Sequence, residues 1–292
     1  MIRDPAYKYA LISVFLWSTV ATAFKYSLKF ISPIQLVFFA SLSSLIVLFI
    51  ILLIQKKLSM VKKHIKENYI LIFILGGINT FLYYLILFKA YDLLPAQEAQ
   101  AINYTWALML AFLSVPFLNK KLRLIDIVSG IICYFGVLII ATKGDPFSLE
   151  FSNLEGVILA LLSTVIWSFY WIFSTKSKSD PVVSIFSNFL FALPIIIIYM
   201  FFTNSFEIVV NVGLIGAIYI GLFEMGITFL FWLKAMQSSL NTSKVANLIF
   251  LSPFLSLIFI YFILKETIYL STLFGLSAII FGLFIQSYNK KS

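Results

Sequence analysis

The sequence predicts an all-α membrane protein of ten transmembrane helices arranged as two inverted five-helix repeats, and three observations carry that expectation. First, 62% of the 292 residues are hydrophobic and only 11% are charged, against about 25% charged in soluble domains; the mean hydropathy is +1.03. Second, apolar runs of about 20 residues, the length that crosses the hydrocarbon core, recur ten times. Third, the second half of the chain repeats features of the first.

The runs lie near residues 8–27, 34–54, 69–89, 98–118, 125–142, 155–175, 182–202, 212–232, 242–263 and 268–288. No small-residue cleavage site follows the first run, which is therefore read as a retained helix and not a signal peptide. Its sequence SVFLWS (Ser13–Ser18) returns in the sixth as STVIWS (Ser163–Ser168), 150 residues on. An offset of 145 pairs Gly76 with Gly221, Gly130 with Gly275, Lys120 with Lys265, and the Phe88–Ala90 stretch FKA with LKA at Leu233–Ala235. The expected repeats are residues 1–145 and 146–292. Five spans is an odd number, so the two repeats enter the membrane from opposite faces, the arrangement that many secondary transporters use to build alternating gates.

Charge sits between the spans. With the N-terminus inside, Arg3, Lys8, Lys56, Lys57, Lys62, Lys63, Lys66, Lys120, Lys121, Arg123, Lys176, Lys178, Lys234, Lys244, Lys290 and Lys291 fall on the cytoplasmic side. Only Lys25, Lys29, Lys89, Lys143 and Lys265 fall outside. This asymmetry predicts cytoplasmic termini, and it accounts for the net charge of +9 without a nucleic-acid partner, which would require a basic face on a folded domain. Cys133 is the single cysteine and His64 the single histidine, the latter expected in a lysine-rich loop. They supply no disulfide and no metal cluster, and no cofactor is expected.

Polar and aromatic residues inside the spans mark the candidate site. At about 100° per residue, Ala96, Ala99, Gln100, Asn103, Trp106, Ala107 and Ser114 share one face of the fourth span, with Tyr104 on its flank. Trp17 lies on such a stripe in the first span, Tyr83 and Tyr84 in the third with Gly76 and Thr80, and Trp167 and Trp171 in the sixth with Ser163, Tyr170 and Ser174. A polar stripe in a lipid-embedded helix faces protein or water. It serves either as helix-to-helix glue or as a solute wall, and rings with polar tips deep in their spans suit flat, partly apolar molecules. Glu224 stands in the middle of the eighth span, where a carboxylate is costly and functional by default; it is protonated, paired with a solute amine, Lys244 or a cation, or hydrogen-bonded structurally to Asn247. Glu98 is expected at the interface. Gly130, Gly136, Gly275 and Gly282 suit close helix approach, and Pro116, Pro194 and Pro253 are expected to bend or break helices, with Pro253 deep enough to act as a hinge.

The ten spans, the duplication, the Ser-x-x-x-Trp-Ser signature of spans one and six, the LSPF of Leu251–Phe254 and the Lys265, Glu266 pair resemble the drug/metabolite transporter superfamily in its EamA-type branch. Within it, INYTW (Ile102–Trp106) and VIWSFYWIFSTK (Val165–Lys176) are similar to segments of the YddG-type exporters of aromatic amino acids, with Ala107 where those have proline. The resemblance implies an exporter of small solutes, amino acids or related metabolites, in the plasma membrane, a monomer or homodimer working by alternating access around a central cavity. It also implies that Tyr83 or Tyr84, Tyr104, Trp106 and Trp167 belong to that cavity. No nucleotide-binding motif is present, so uphill movement requires an ion gradient. An intramembrane enzyme acting on lipid-linked substrates is the alternative, and it lacks a catalytic cluster beyond Glu224 and scattered serines. A receptor or scaffold leaves the repeat unexplained.

Overall fold

The computed structural model describes residues 5–119, 121–147, 151–174, 179–207, 210–238, 245 and 247–288. The spans are α1 (Pro5–Ser27), α2 (Pro33–Ile54), α3 (Leu58–Leu93), α4 (Ala96–Leu118), α5 (Leu124–Ala141), α6 (Leu154–Ser174), α7 (Pro181–Phe202), α8 (Val212–Ser238), α9 (Leu248–Leu264) and α10 (Leu270–Gln286). α1 to α8 are long and apolar enough to cross a membrane, and α9 and α10 are shorter apolar helices. No strand occurs among the described residues.

Helix ends follow local chemistry. Ser32 and Gln35 close a capping box at α2, the Gln35 amide donating to Ser32 Oγ at 3.4 Å and the Ser32 amide to Gln35 Oε1 at 3.0 Å, with Pro33 in the first turn. The Asp180 carboxylate accepts from the amides of Val182 and Val183 at the start of α7. Equivalent ends in the two repeats stop the same way. Lys56 (φ 55°) and Asn204 (φ 49°) follow α2 and α7, and Asn119 (φ 53°) and Lys265 (φ 59°) follow α4 and α9, each in the left-handed conformation that ends helices.

Of the three prolines expected to bend or break helices, only Pro253 stands at a break, where a 3₁₀ stretch gives way to α-helix. α4 and α7 run through Pro116 and Pro194, and Pro253 occupies the first turn of Ser252–Phe259, where its missing N–H removes no helical hydrogen bond. The chain also departs from α-helix at π-helical stretches, Gly76–Tyr83 within α3 and Ile260–Leu264 at the end of α9; at Tyr104 and Thr105 in α4; at residues 224–226 in α8; and in a 3₁₀ stretch, Asn247–Leu251, leading into the α-helical part of α9. Serines on neighbouring helices serve the backbone at two of these places. Ser44 Oγ donates to the Met225 carbonyl at 3.2 Å and Ser168 Oγ to the Trp106 carbonyl at 3.1 Å, which is how irregular backbone is tolerated at membrane depth.

The chain forms two compact units, residues 1–81 with 178–265, and residues 82–177 with 266–292. In the first, α1 packs on α8 and α9, α2 on α7 and α8, and the start of α3 on α7. His64 is not in a loop but in α3 and buried, with Nδ1 2.6 Å from Ser179 Oγ. Val61, His64, Ile72 and Leu75 share its buried face at helical spacing. In the second, α6 packs on the end of α3 and on α4, and α5 packs along α10. The α5–α10 contact is backbone-close: a Cβ on Gly136 would meet the Gly275 carbonyl oxygen at 2.6 Å, and one on Gly282 would meet Cys133 Sγ at 2.6 Å. Gly130 is the exception among the four expected there, because it faces the Phe112 ring of α4.

Candidate functional site

Rings gather around Trp167 in the second unit. Its indole stacks on Tyr83 of α3 at 4.5 Å between centroids and on Tyr170 at 5.3 Å, and meets Trp171 at 6.0 Å and Trp106 of α4 at 6.4 Å. Trp106 stacks on Trp171 at 6.3 Å, and Tyr84 meets Tyr83 edge-on at 4.9 Å. Tyr170 and Trp171 reach this place as the third and fourth residues after Trp167, on the same helix face. Tyr83 closes the π-helical stretch of α3, and Trp106 begins the helix that resumes after Tyr104 and Thr105.

Polar groups border the rings. Asn103 Nδ2 donates to Ser163 Oγ at 2.9 Å, linking α4 to α6, and Ser163 in turn donates to the Ala160 carbonyl at 2.6 Å. Gln100, one turn earlier, is buried, whereas Asn103, Tyr104, Trp106 and Trp171 are half-buried. The Trp171 indole N–H is buried and makes no hydrogen bond among the described residues. Native structures rarely leave a buried donor in that state without a functional reason or a bound group.

Of the residues singled out in the sequence, Tyr83, Tyr84, Gln100, Asn103, Tyr104, Trp106, Trp167 and Trp171 belong to this unit. Trp17 and Glu224 belong to the other. There Trp17 meets Trp232 at 5.4 Å and Phe229 at 5.8 Å, both on α8. Glu224 is half-buried where α8 is interrupted, its amide donating to the Ile220 carbonyl at 2.8 Å. Lys244 and the side chain of Asn247, the partners considered for it, lie outside the described residues. Tyr170 lies on the stripe that the sequence marks in the sixth span, whereas Phe229 and Trp232 are not among the residues it marks. Phe229 and Trp232 stand three apart on one face of α8, a spacing that offered the signal.

A family model described as the EamA-like transporter family matches residues 4–142 and again residues 154–288. The chain belongs to this family. It is 27% identical over 281 residues to an uncharacterized transporter of Archaeoglobus fulgidus, covering 94% of this chain and 95% of that one. It is 26% identical over 286 residues to the uncharacterized transporter YoaV of Bacillus subtilis, covering 95% of each. A solved crystal structure superposes with a TM-score of 0.66 over 99% of this chain and 100% of its own, at 19% identity, and so shares the fold. This EamA-like protein is a multi-pass membrane transporter of small solutes and not an enzyme, which sets aside the lipid-linked-substrate alternative. Among the described residues no group of three or more His, Cys, Asp or Glu is placed to hold a metal ion.

Proposed function

We propose that this transporter exports amino acids or related metabolites, with a preference for flat side chains, by alternating access of the repeats 1–145 and 146–292. The observation that carries the reading is the unpartnered indole N–H of Trp171 within a wall of stacked rings. The rings offer faces to a flat apolar body, and the N–H offers a donor to a carboxylate or carbonyl. Tyr83, Tyr84, Gln100, Asn103, Tyr104, Trp106, Trp167 and Trp171 are its solute-lining residues. Trp17 belongs to the reading as a lining ring of the first unit. Glu224 is assigned there to an ammonium-bearing solute, since an interrupted helix with a half-buried carboxylate supplies negative charge at membrane depth. The protein sits in the plasma membrane with both termini cytoplasmic, supported by the distribution of basic residues.

The test is exchange of labelled solute across proteoliposomes holding unlabelled solute, with a panel of amino acids and cationic dyes. Exchange of aromatic amino acids above that of the dyes is expected. Exchange of dyes alone contradicts the assignment. Glu224→Gln should weaken exchange of amine-bearing solutes and spare neutral ones; equal effects on both would remove Glu224 from recognition. A reporter active only outside the cytoplasm, fused after Lys291, should stay silent.

A further inference from the structure

One end of the second unit holds a buried carboxylate, Glu98, and a half-buried one, Glu266, that the ring cluster does not use. Glu98, in the first turn of α4, was expected at the interface but is 1% exposed. Ser152 donates a hydrogen bond to its Oε2. Its Oε1 is buried and receives no hydrogen bond among the described residues. Glu266, between α9 and α10, accepts from the Ala96 amide through Oε1 at 3.1 Å, on the same turn of α4. Its Oε2 is also buried and without a hydrogen bond among the described residues.

Gln97, between those two contacts, fastens the turn in place. Its Nε2 donates to the Thr267 carbonyl at 2.8 Å, and its Oε1 accepts from Thr272 Oγ1 at 2.7 Å and from the Tyr269 amide at 3.4 Å. The charges acting on Glu98 are Lys143 and Glu266, with opposite effects. Among the described residues, the other titratable groups on the segments packed here, Asp145, Glu155, Lys265 and Tyr269, are exposed, as is Lys143. Among the described residues the two carboxylates therefore have no buried counter-charge and two of their acceptor oxygens are unserved, and a buried ionised group in that condition is strongly disfavoured. A single proton answers both: it cancels the charge and turns an orphan acceptor into a donor.

We infer that Glu98 and Glu266 form a proton-binding site, with Glu98 carrying the proton, through which a proton gradient drives transport. The inference rests on the transport reading above. On the predicted topology the segments after α3, α5 and α9 face outside, so the proton enters from the side that an exporter must draw on. Binding is a simple addition: one carboxylate and one proton give one carboxylic acid.

The first test needs no solute. Infrared difference spectra of purified protein in liposomes, taken across a pH titration, should show a protonated buried carboxyl in the wild type that is lost in Glu98→Gln. Absence of the band from the wild type, or its persistence in the variant, overturns the site. The second test imposes a pH gradient on liposomes supplied with labelled phenylalanine. One unit of pH drives at most about a tenfold accumulation per proton, which the wild type should approach and Glu98→Gln should lose. A folded Glu98→Gln protein that still accumulates phenylalanine overturns coupling at this site; if that variant does not fold, Glu266→Gln takes its place with the same expectations. Wild-type protein that exchanges none of the panel solutes refutes the transport reading instead, and leaves the infrared result to decide the site.

Discussion

Trp17 in α1 and Trp167 in α6 hold equivalent places in the two repeats, and each packs on the third span of the other repeat: Trp17 on Phe229 and Trp232 of α8, Trp167 on Tyr83 of α3. Their surroundings differ. Trp232 rests on an apolar cluster of Ala6, Ala10, Ala235 and Val245, with Tyr7, Tyr9, Met236 and Leu248 around it. Trp167 is ringed by phenols and indoles that carry polar tips, and Asn103 is nearby on α4. The fourth spans repeat the contrast. α4 unwinds between Asn103 and Trp106, whereas in the matching 3₁₀ stretch of the ninth span, Asn247–Leu251, the asparagine is followed by Leu248, Ile249, Phe250 and Leu251. Duplication has kept the places where the helices depart from regularity, and the side chains at those places set the chemistry of each copy, stacked rings with polar tips in one and the Glu224 carboxylate in the other.

The sharpest way to break this comparison is to remove the two tryptophans in turn. Trp167→Ala deletes a buried ring with four ring neighbours and is expected to cost about 3–5 kcal/mol and to abolish solute exchange. Trp17→Ala, at a half-buried ring, should cost less and leave measurable exchange. Thermal midpoints in detergent with exchange rates in liposomes check both, and loss of exchange only in folded Trp17→Ala reverses the assignment. Next in size, Trp106→Ala should cut exchange about tenfold, the effect of some 1.4 kcal/mol, with little loss of fold. Leu251→Ala, at the matching position of the second repeat and 48% exposed, should leave exchange unchanged.

The smallest effect is expected far from both clusters. Lys57 Nζ lies 2.6 Å from Asp180. Burial alone would raise the Asp180 carboxyl, but the Lys57 hydrogen bond and charge and the amides of Val182 and Val183 outweigh it and hold it below the usual carboxylate range. The contribution is therefore present at neutral pH and fades as pH falls through that lowered value. Asp180→Asn keeps the cap and loses the ion pair, so it should cost about 1 kcal/mol or less at pH 7 and flatten the acid limb of a stability profile.

Much of this fold was legible in the sequence because a bilayer reads composition directly. The spans from Leu124, Leu154, Pro181 and Val212 begin within a residue of the hydropathic runs that predict them, and Gly136, Gly275 and Gly282 signal the α5–α10 approach by spacing. What hydropathy misses is what packs against a polar residue. His64 and Glu98 read as loop or interface because they are polar near span ends, yet neighbouring helices cover both. Nor does a 100° period reveal where a hydrogen-bond ladder slips: the stripe drawn through Gln100, Asn103, Trp106 and Ser114 assumed one unbroken helix, and Tyr104 and Thr105 interrupt it. Pro116 and Pro194 misled for the complementary reason. They report a missing donor, while the departures come at Gly76–Tyr83, which holds two glycines and no proline, and at residues 224–226, where Ser44 Oγ donates to the Met225 carbonyl.

The claim that the Trp167 cluster receives the solute is tested most directly by tryptophan fluorescence. All five tryptophans belong to the two clusters, Trp17 and Trp232 in one and Trp106, Trp167 and Trp171 in the other. A protein with Trp17→Phe and Trp232→Phe, titrated with phenylalanine, should keep the saturable fluorescence change of the wild type. If the change disappears there and survives when Trp106, Trp167 and Trp171 are replaced by Phe instead, the solute binds at the other cluster and the account is wrong.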